Sequence, residues 1–322
     1  MSQVSQALRC IGLLGYGEVG RILAEDLRAR NLRVLAYDRK LDAGAGASDA
    51  APLHAHAQQH GVELLPSAAA LAQQADCIIS AVTASQTLAA AQACAAGMGA
   101  GQAPFFLDFN SASPGSKQAA AAAIDGAGGR YVEGAIMTSV PPYRIRVPLL
   151  LGGQHATALQ TLLQPLGFAA EVASERLGVA SATKMCRSVM IKGLEAMVIE
   201  SLTAARHYGV EDAVLASLQE TFPGLDWQEQ ASYFFQRVIA HGRRRSEEMA
   251  ESALTVQEAG LPAFSAQATT ERQVWMADLA DRGVFGLRGS PAFACSSDWR
   301  TEADRLLAHL QVSQNTNTPQ EP

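Results

Sequence analysis

The 322-residue chain has 48% hydrophobic and 17% charged residues, enough for a sizeable core, and a prior of about 150 residues per domain points to two domains. Its net charge of −6 argues against nucleic acid or an anionic membrane surface as a partner. No run of about 18 apolar residues is present to span a membrane, and the N-terminus lacks the apolar core of a signal peptide. The five cysteines (Cys10, Cys77, Cys94, Cys186, Cys295) are scattered without a CxxC pair, which fits reduced thiols in the cytoplasm better than disulfides or a metal centre.

Leu8 to Leu14 is a short apolar run, and Gly15-Tyr16-Gly17-Glu18-Val19-Gly20 follows it directly. A helical pattern (Arg21 to Arg30) and a second strand (Arg33 to Tyr37) come next, and Asp38 stands 18 residues after the last glycine. This is the strand, GxGxxG, helix, strand, acid order of a dinucleotide-binding unit. Gly15 permits the tight turn, Gly17 lets backbone approach a pyrophosphate, and Gly20 lets helix and strand pack closely. The pyrophosphate would sit at the positive helix N-terminus. Asp38 would accept the ribose hydroxyls and so favours NAD. Arg39 and Lys40 could instead grip a 2′-phosphate, which leaves NADP open.

Residues 41–51 are rich in Gly, Ala and Asp and read as a loop. His54, His56 and His60 follow with no neighbouring carboxylate or cysteine in the sequence. They read as surface residues, and no metal is expected. Short strands at Val62–Leu65, Asp76–Val82 and Pro104–Asp108 alternate with helices at Ser67–Ala75 and Ser85–Ala96. Ligands of open parallel sheets lie beyond the carboxyl ends of the strands, so Val82 and Thr83 should approach the cofactor ribose and Ser111 the nicotinamide. Ser113 reads as a helix N-cap with Pro114 at the first helical position. Arg130–Ile136, Val147–Leu151 and Ala169–Val172 are further strands around a helix at Ala156–Leu163. Residues 1–175 therefore read as an α/β, doubly wound, mostly parallel sheet of six or more strands.

Gly178 to Met197 contains no proline and continues as helix to about His207. At 100° per residue Lys184, Ser188 and Glu195 fall within about 40° of one another, flanked by Ser181, Arg187 and Lys192. The rest of the circumference is mostly apolar, so the charged stripe either faces something polar from a largely buried helix or is the solvated face of an ordinary one. Residues 176–311 read as all helical: Glu211–Leu218, Trp227–Ala240, Arg243–Ala259, Ser265–Asp281 and Thr301–Leu310. Trp227, Tyr233, Phe234 and Phe235 are core or dimer contacts. Arg243-Arg244-Arg245-Ser246-Glu247-Glu248 has the look of a solvated run, and residues 312–322 of a disordered polar tail.

Three of these segments together resemble the β-hydroxyacid dehydrogenase family, which includes 3-hydroxyisobutyrate and 6-phosphogluconate dehydrogenases. The N-terminal GLLGYGEVG is similar to the family's cofactor fingerprint. Val132-Glu133-Gly134-Ala135-Ile136-Met137-Thr138-Ser139 aligns with its substrate loop, and Gly178 to Ser188 with its lysine-bearing helix. The resemblance spans most of the first 200 residues and looks like a divergent, phosphogluconate dehydrogenase-like branch with its own C-terminal domain. It implies hydride transfer between a nicotinamide cofactor and the carbinol carbon of a small hydroxyacid. Lys184 would be the general acid/base, a task for which a lysine needs a lowered pKa. Ser188 would orient the hydroxyl or the lysine, Thr138 and Ser139 would hold a substrate carboxylate, and Arg187 and Lys192 would either add charge there or form structural ion pairs with Glu195 or Glu248. One of Arg244, Arg245 or Glu248 could reach the active site. Relatives pair through the helical domain, which implies a homodimer or homotetramer.

Ser188 stands where the family carries Asn and Arg187 where it carries Asn or His, so the substrate set differs. Oxidative decarboxylation of a sugar acid, imine or ketone reduction, and non-catalytic cofactor sensing are the competing readings.

Overall fold

The computed structural model describes residues 7–42, 46–99, 103–294 and 296–316. The chain divides into two compact units, Met1–Cys186 and Arg187–Pro322. The division falls inside the long helix, about ten residues beyond the boundary read from the sequence.

The first unit is built on one sheet of eight strands among the described residues: β1 (Cys10–Leu14), β2 (Arg33–Tyr37), β3 (Glu63–Leu64), β4 (Cys77–Ser80), β5 (Phe105–Asp108), β6 (Arg130–Ile136), β7 (Leu149–Gly152) and β8 (Ala170–Ser174). Their spatial order is β3-β2-β1-β4-β5-β6-β7-β8. Every neighbouring pair is parallel except β6 with β7. The central strands CIGLL, CIIS and FFLD are buried along their whole length, as parallel strands covered on both faces must be. Successive residues point to opposite faces. Thus Leu13, Ile79 and Leu107 pack with α1 (Glu18–Arg28), α2 (Ala47–His60) and α7 (Ala156–Leu163). Leu14, Ile78 and Phe106 pack with α3 (Ala68–Ala72), α4 (Thr87–Ala95) and α5 (Pro114–Gly126). A single turn, α6 (Val140–Tyr143), follows β6.

The doubly wound α/β class read from the sequence is the class observed. The segment read as a loop over 41–51 is corrected at its end, because α2 begins at Ala47; residues 43–45 lie outside the described residues.

The long helix, α8, spans Val179–Tyr208. Beyond its first turns the second unit adds α9 (Glu211–Thr221), α10 (Trp227–Glu258), α11 (Phe264–Asp281) and α12 (Trp299–Thr316). Their core gathers Leu202, Phe235, Ile239, Met276, Trp299 and Leu306. Trp227 and Phe234 are buried as well, but Tyr233 is exposed. The two helices expected at 227–240 and 243–259 are one. Gly242 does not break it: a Cβ there would stand 2.8 Å from the Gln273 carbonyl oxygen, so this glycine admits close approach of α11. The polar stretch after Leu310 stays helical to Thr316, with no glycine or proline before Pro319; residues 317–322 lie outside the described residues.

Cys10, Cys77, Cys94 and Cys186 are free, and Cys295 lies outside the described residues. Burial pushes the thiols of Cys77 and Cys94 up to about 12, which suits packing rather than reactivity. No helix among the described residues is long and apolar enough to cross a membrane.

Candidate functional site

One edge of the sheet collects the residues singled out in the first unit. Gly15 follows β1, Asp38 follows β2, Val82 and Thr83 follow β4, Ser111 follows β5, and Thr138 and Ser139 follow β6. All five strands run parallel, so these are their carboxyl ends, where ligands of such sheets bind.

The β1–α1 turn has the geometry a dinucleotide needs. Gly15 has φ +91°, and a Cβ there would come 2.5 Å from the Ala81 carbonyl oxygen. A Cβ on Gly20 would stand 2.3 Å from the Gly15 oxygen, so strand and helix meet through bare backbone. A Cβ on Gly17 would have no atom within 4 Å, and Gly17 caps α1 without any side-chain hydrogen bond. The first N–H groups of α1 are therefore presented beside Gly17, with Glu18 exposed and Val19 half-buried. These observations fit a bound pyrophosphate.

Asp38 fixes this turn from β2. Its Oδ2 accepts from the Tyr16 N–H at 2.8 Å and its Oδ1 from the Lys40 N–H at 3.0 Å. Each carboxylate oxygen offers a second lone pair, so acceptor capacity remains for a ribose. Arg39 is turned aside by a bond of 2.7 Å from Nη1 to Gln86 Oε1.

The ends of β4 and β5 are locked together by a side chain the sequence reading passed over. Asn110 Oδ1 accepts from the Val82 N–H at 2.8 Å, and Nδ2 donates to Ser80 Oγ at 3.0 Å. Beneath it Asp108 is fully buried. It takes the Asn110 N–H (2.9 Å), the Tyr131 hydroxyl (2.7 Å) and the Lys117 ammonium (3.0 Å). Burial and the Asp108 carboxylate push the Tyr131 phenol well above its ordinary range. Ser113 caps α5 by accepting from the Ser116 N–H at 3.1 Å, with Pro114 in the first helical turn. The loop carrying Ser111 is thus held at both ends. Lys184 Nζ donates to Ser111 Oγ over 2.6 Å.

The helix bearing Lys184 is anchored in the same unit by Glu133, which is fully buried. Glu133 Oε1 accepts from the N–H groups of Gly178 (2.9 Å) and Ala180 (3.0 Å), and Oε2 accepts from the Ser181 hydroxyl (2.8 Å). A carboxylate at a helix N-terminus both satisfies open donors and opposes the helix dipole.

In the second unit α8 carries the rest of the charged stripe. Lys192 Nζ is 2.7 Å from Glu248 Oε2 and 3.3 Å from Ser188 Oγ. Burial lowers the Lys192 ammonium below its ordinary range, with Glu248 acting in the opposite direction. Glu195 pairs with Arg245, both almost fully buried, and the Arg245 Nε has no hydrogen-bond partner. Arg187 is exposed. The run 243–248 is solvated only in part. Arg243 reaches Asp278 and Asp281 and Arg244 reaches Glu248, while Arg245 is buried because the hydrophobic period of α10 turns it inward.

The histidine segment needs correction. His56 does have a carboxylate partner: its Nε2 lies 3.1 Å from Glu25 Oε1 on α1, and His60 stacks on it with ring centroids 4.4 Å apart. No local pattern could show this, because 31 residues separate the pair.

Comparison with known proteins agrees with this architecture. Residues 11–99 match a saccharopine dehydrogenase NADP-binding domain, and residues 205–276 a domain of unknown function, DUF1932. A conserved hypothetical protein from Sinorhizobium meliloti is 35% identical, with 96% of this chain and 99% of that one covered and a TM-score of 0.71. A conserved protein of unknown function, described as structurally similar to 3-hydroxyacid dehydrogenases, is 30% identical over 84% of this chain and 97% of its own, with a TM-score of 0.64. The 3-hydroxyisobutyrate dehydrogenase of Mycobacterium tuberculosis shares the fold at 16% identity, covering 93% and 99% of the two chains with a TM-score of 0.65.

Proposed function

The chain belongs to the β-hydroxyacid dehydrogenase family of NAD(P)-dependent oxidoreductases, in a branch carrying the DUF1932 domain, and from that premise we propose that it moves hydride between nicotinamide and the carbinol carbon of a small hydroxyacid. The observation that supports this most is the hydrogen bond from Lys184 to Ser111 at the carboxyl edge of the sheet. When bound, the cofactor supplies the hydride acceptor for oxidation or the donor for reduction.

In the oxidative direction Lys184 takes the proton of the carbinol hydroxyl as hydride leaves the carbon; in reduction it returns that proton. Ser111 holds the lysine nitrogen at the end of β5. The exposed hydroxyls of Thr138 and Ser139 bind the substrate carboxylate. Resemblance to the family's lysine helix gives Ser188 and Arg187 substrate-side roles, whereas the buried ion pair with Glu248 favours a structural role for Lys192. For the cofactor, the remaining lone pairs of Asp38 and the diversion of Arg39 to Gln86 favour NAD(H). The match to an NADP-binding domain favours the second reading, with Arg39 and Lys40 on a 2′-phosphate. A homodimer or homotetramer in the cytoplasm is the expected form.

The deciding experiment titrates NADH and NADPH separately by nicotinamide fluorescence, then screens hydroxyacids with the preferred cofactor. Tighter NADH binding that Asp38→Ala abolishes supports the NAD reading; tighter NADPH binding lost in Arg39→Ala supports the other. Binding of neither sinks the assignment. Release of CO₂ during turnover would move it to oxidative decarboxylation.

A further inference from the structure

We propose that Glu25, His56 and His60 form a binding site for a divalent cation of the zinc type, next to Tyr16 of the glycine-rich turn. His56 and His60 stand one turn apart on α2, and Glu25 reaches them from α1. The three candidate ligand atoms lie within 4.8 Å of one another. Ligand atoms bound to tetrahedral zinc at about 2.0–2.2 Å stand about 3.3–3.5 Å apart. Glu25 Oε1 and His56 Nε2, 3.1 Å apart, are already near that spacing. His60 is the last residue of α2, so its ring can complete the set by turning about its own side-chain bonds.

The surroundings of these groups are those of built ligands. A metal-bound imidazole normally donates its second ring N–H to a neighbour, which fixes the tautomer and the ring plane. The Tyr16 hydroxyl, 2.8 Å from His56 Nδ1, provides that neighbour and leaves Nε2 for the ion. Arg144 Nη2 holds the far oxygen of Glu25 at 2.7 Å, which leaves Oε1 as a single-oxygen ligand. Arg144 is itself neutralised by Asp26 at 2.9 Å, so its charge is offset. Two imidazoles and one carboxylate suit zinc, with a fourth position for water. The ion ties α1 to α2 and steadies the ring on which Tyr16 rests. Tyr16 is also the residue whose N–H is held by Asp38, so the site braces the turn from its buried side.

The test strips the full-length protein with EDTA and titrates it with zinc and, for its absorption bands, with cobalt. One tight equivalent per chain, a tetrahedral cobalt spectrum and a raised thermal midpoint are expected. His60→Gln removes one ligand without touching Tyr16 or Arg144. An outer partner alone is worth about 10- to 100-fold in affinity, so this variant should lose at least about a hundredfold and show no thermal shift. Its circular dichroism should match wild type; if it does not fold, Glu25→Gln is read in the same way. Failure of the wild-type protein to take up a stoichiometric ion, or uptake by the variant with wild-type affinity, overturns the proposal.

Discussion

Lys184 on α8 and Ser111 after β5 share a hydrogen bond of 2.6 Å although 73 residues separate them in the chain. The bond fixes the lysine nitrogen at the carboxyl edge of the sheet, where the glycine turn and Asp38 also lie. If Lys184 is the general acid/base, Lys184→Met should lower kcat by about 10²- to 10⁴-fold, the usual worth of such a group. Dinucleotide affinity should stay within a small factor of wild type, since the lysine is not needed to grip the pyrophosphate. Fluorescence titration and steady-state kinetics on the same preparation check this. A variant that retains full turnover removes Lys184 from the mechanism.

Glu133 gives a second prediction. Glu133→Ala leaves the buried N–H groups of Gly178 and Ala180 without their acceptor, at about 1–3 kcal/mol each before any water enters. Urea unfolding should show a loss of about 2 kcal/mol or more. Glu133→Gln keeps an acceptor oxygen for both N–H groups and can donate to Ser181, so it should recover most of that loss. Equal damage by the two substitutions would mean that the negative charge at the helix head, rather than the hydrogen bonds, is what matters.

These two residues show what the sequence could and could not disclose. Gly15, Gly17, Gly20 and Asp38 are legible because turn chemistry and strand spacing are local, and the same holds for Ser113-Pro114 and for the limits of β6 and α7. Lys184 is legible only through its alignment with a known helix. Asp108 with Lys117, Glu133 with α8, Glu195 with Arg245 and Glu25 with His56 were not legible. Each is a pairing across the fold, and periodicity reports which face a residue occupies but not what that face meets. Gly242 misled for the opposite reason: a residue that locally disfavours helix was retained because α11 approaches it.

Lys192 and Glu248 carry the pH prediction. Burial holds the Lys192 pKa below 10.5 in the folded protein. Between the folded and unfolded values the unfolded chain binds more protons, so this group's contribution to stability increases as pH rises through that window. Glu248→Gln removes the partner and leaves a buried charge, which costs about 3–5 kcal/mol in comparable pairs. That deficit should shrink as denaturant unfolding is repeated at pH values rising towards the ordinary lysine range, because the lowered pKa lets the folded protein shed the Lys192 proton first. The double variant Lys192→Met/Glu248→Gln should be less destabilised than Glu248→Gln alone and should show a weaker pH response. A Glu248→Gln deficit independent of pH would show that lost packing, not uncompensated charge, is the cause.

Asn110 yields the last prediction, because it is the one side chain described that bonds to both Val82 and Ser80. Asn110→Ala strands the Val82 N–H and removes a partner of the Ser80 hydroxyl, so it should cost about 1–3 kcal/mol in stability. The consequence for binding is more specific. Val82 and Thr83 lead out of β4 at the edge where the dinucleotide would lie, and Ser111 follows Asn110 directly. Loosening this junction should weaken both cofactor affinity and kcat. Ser111→Ala, which leaves the junction intact, should affect kcat while dinucleotide affinity changes little. Titration of NADH against the two variants separates these outcomes. If Asn110→Ala binds cofactor as wild type does, the bridge stabilises the sheet edge without shaping the site.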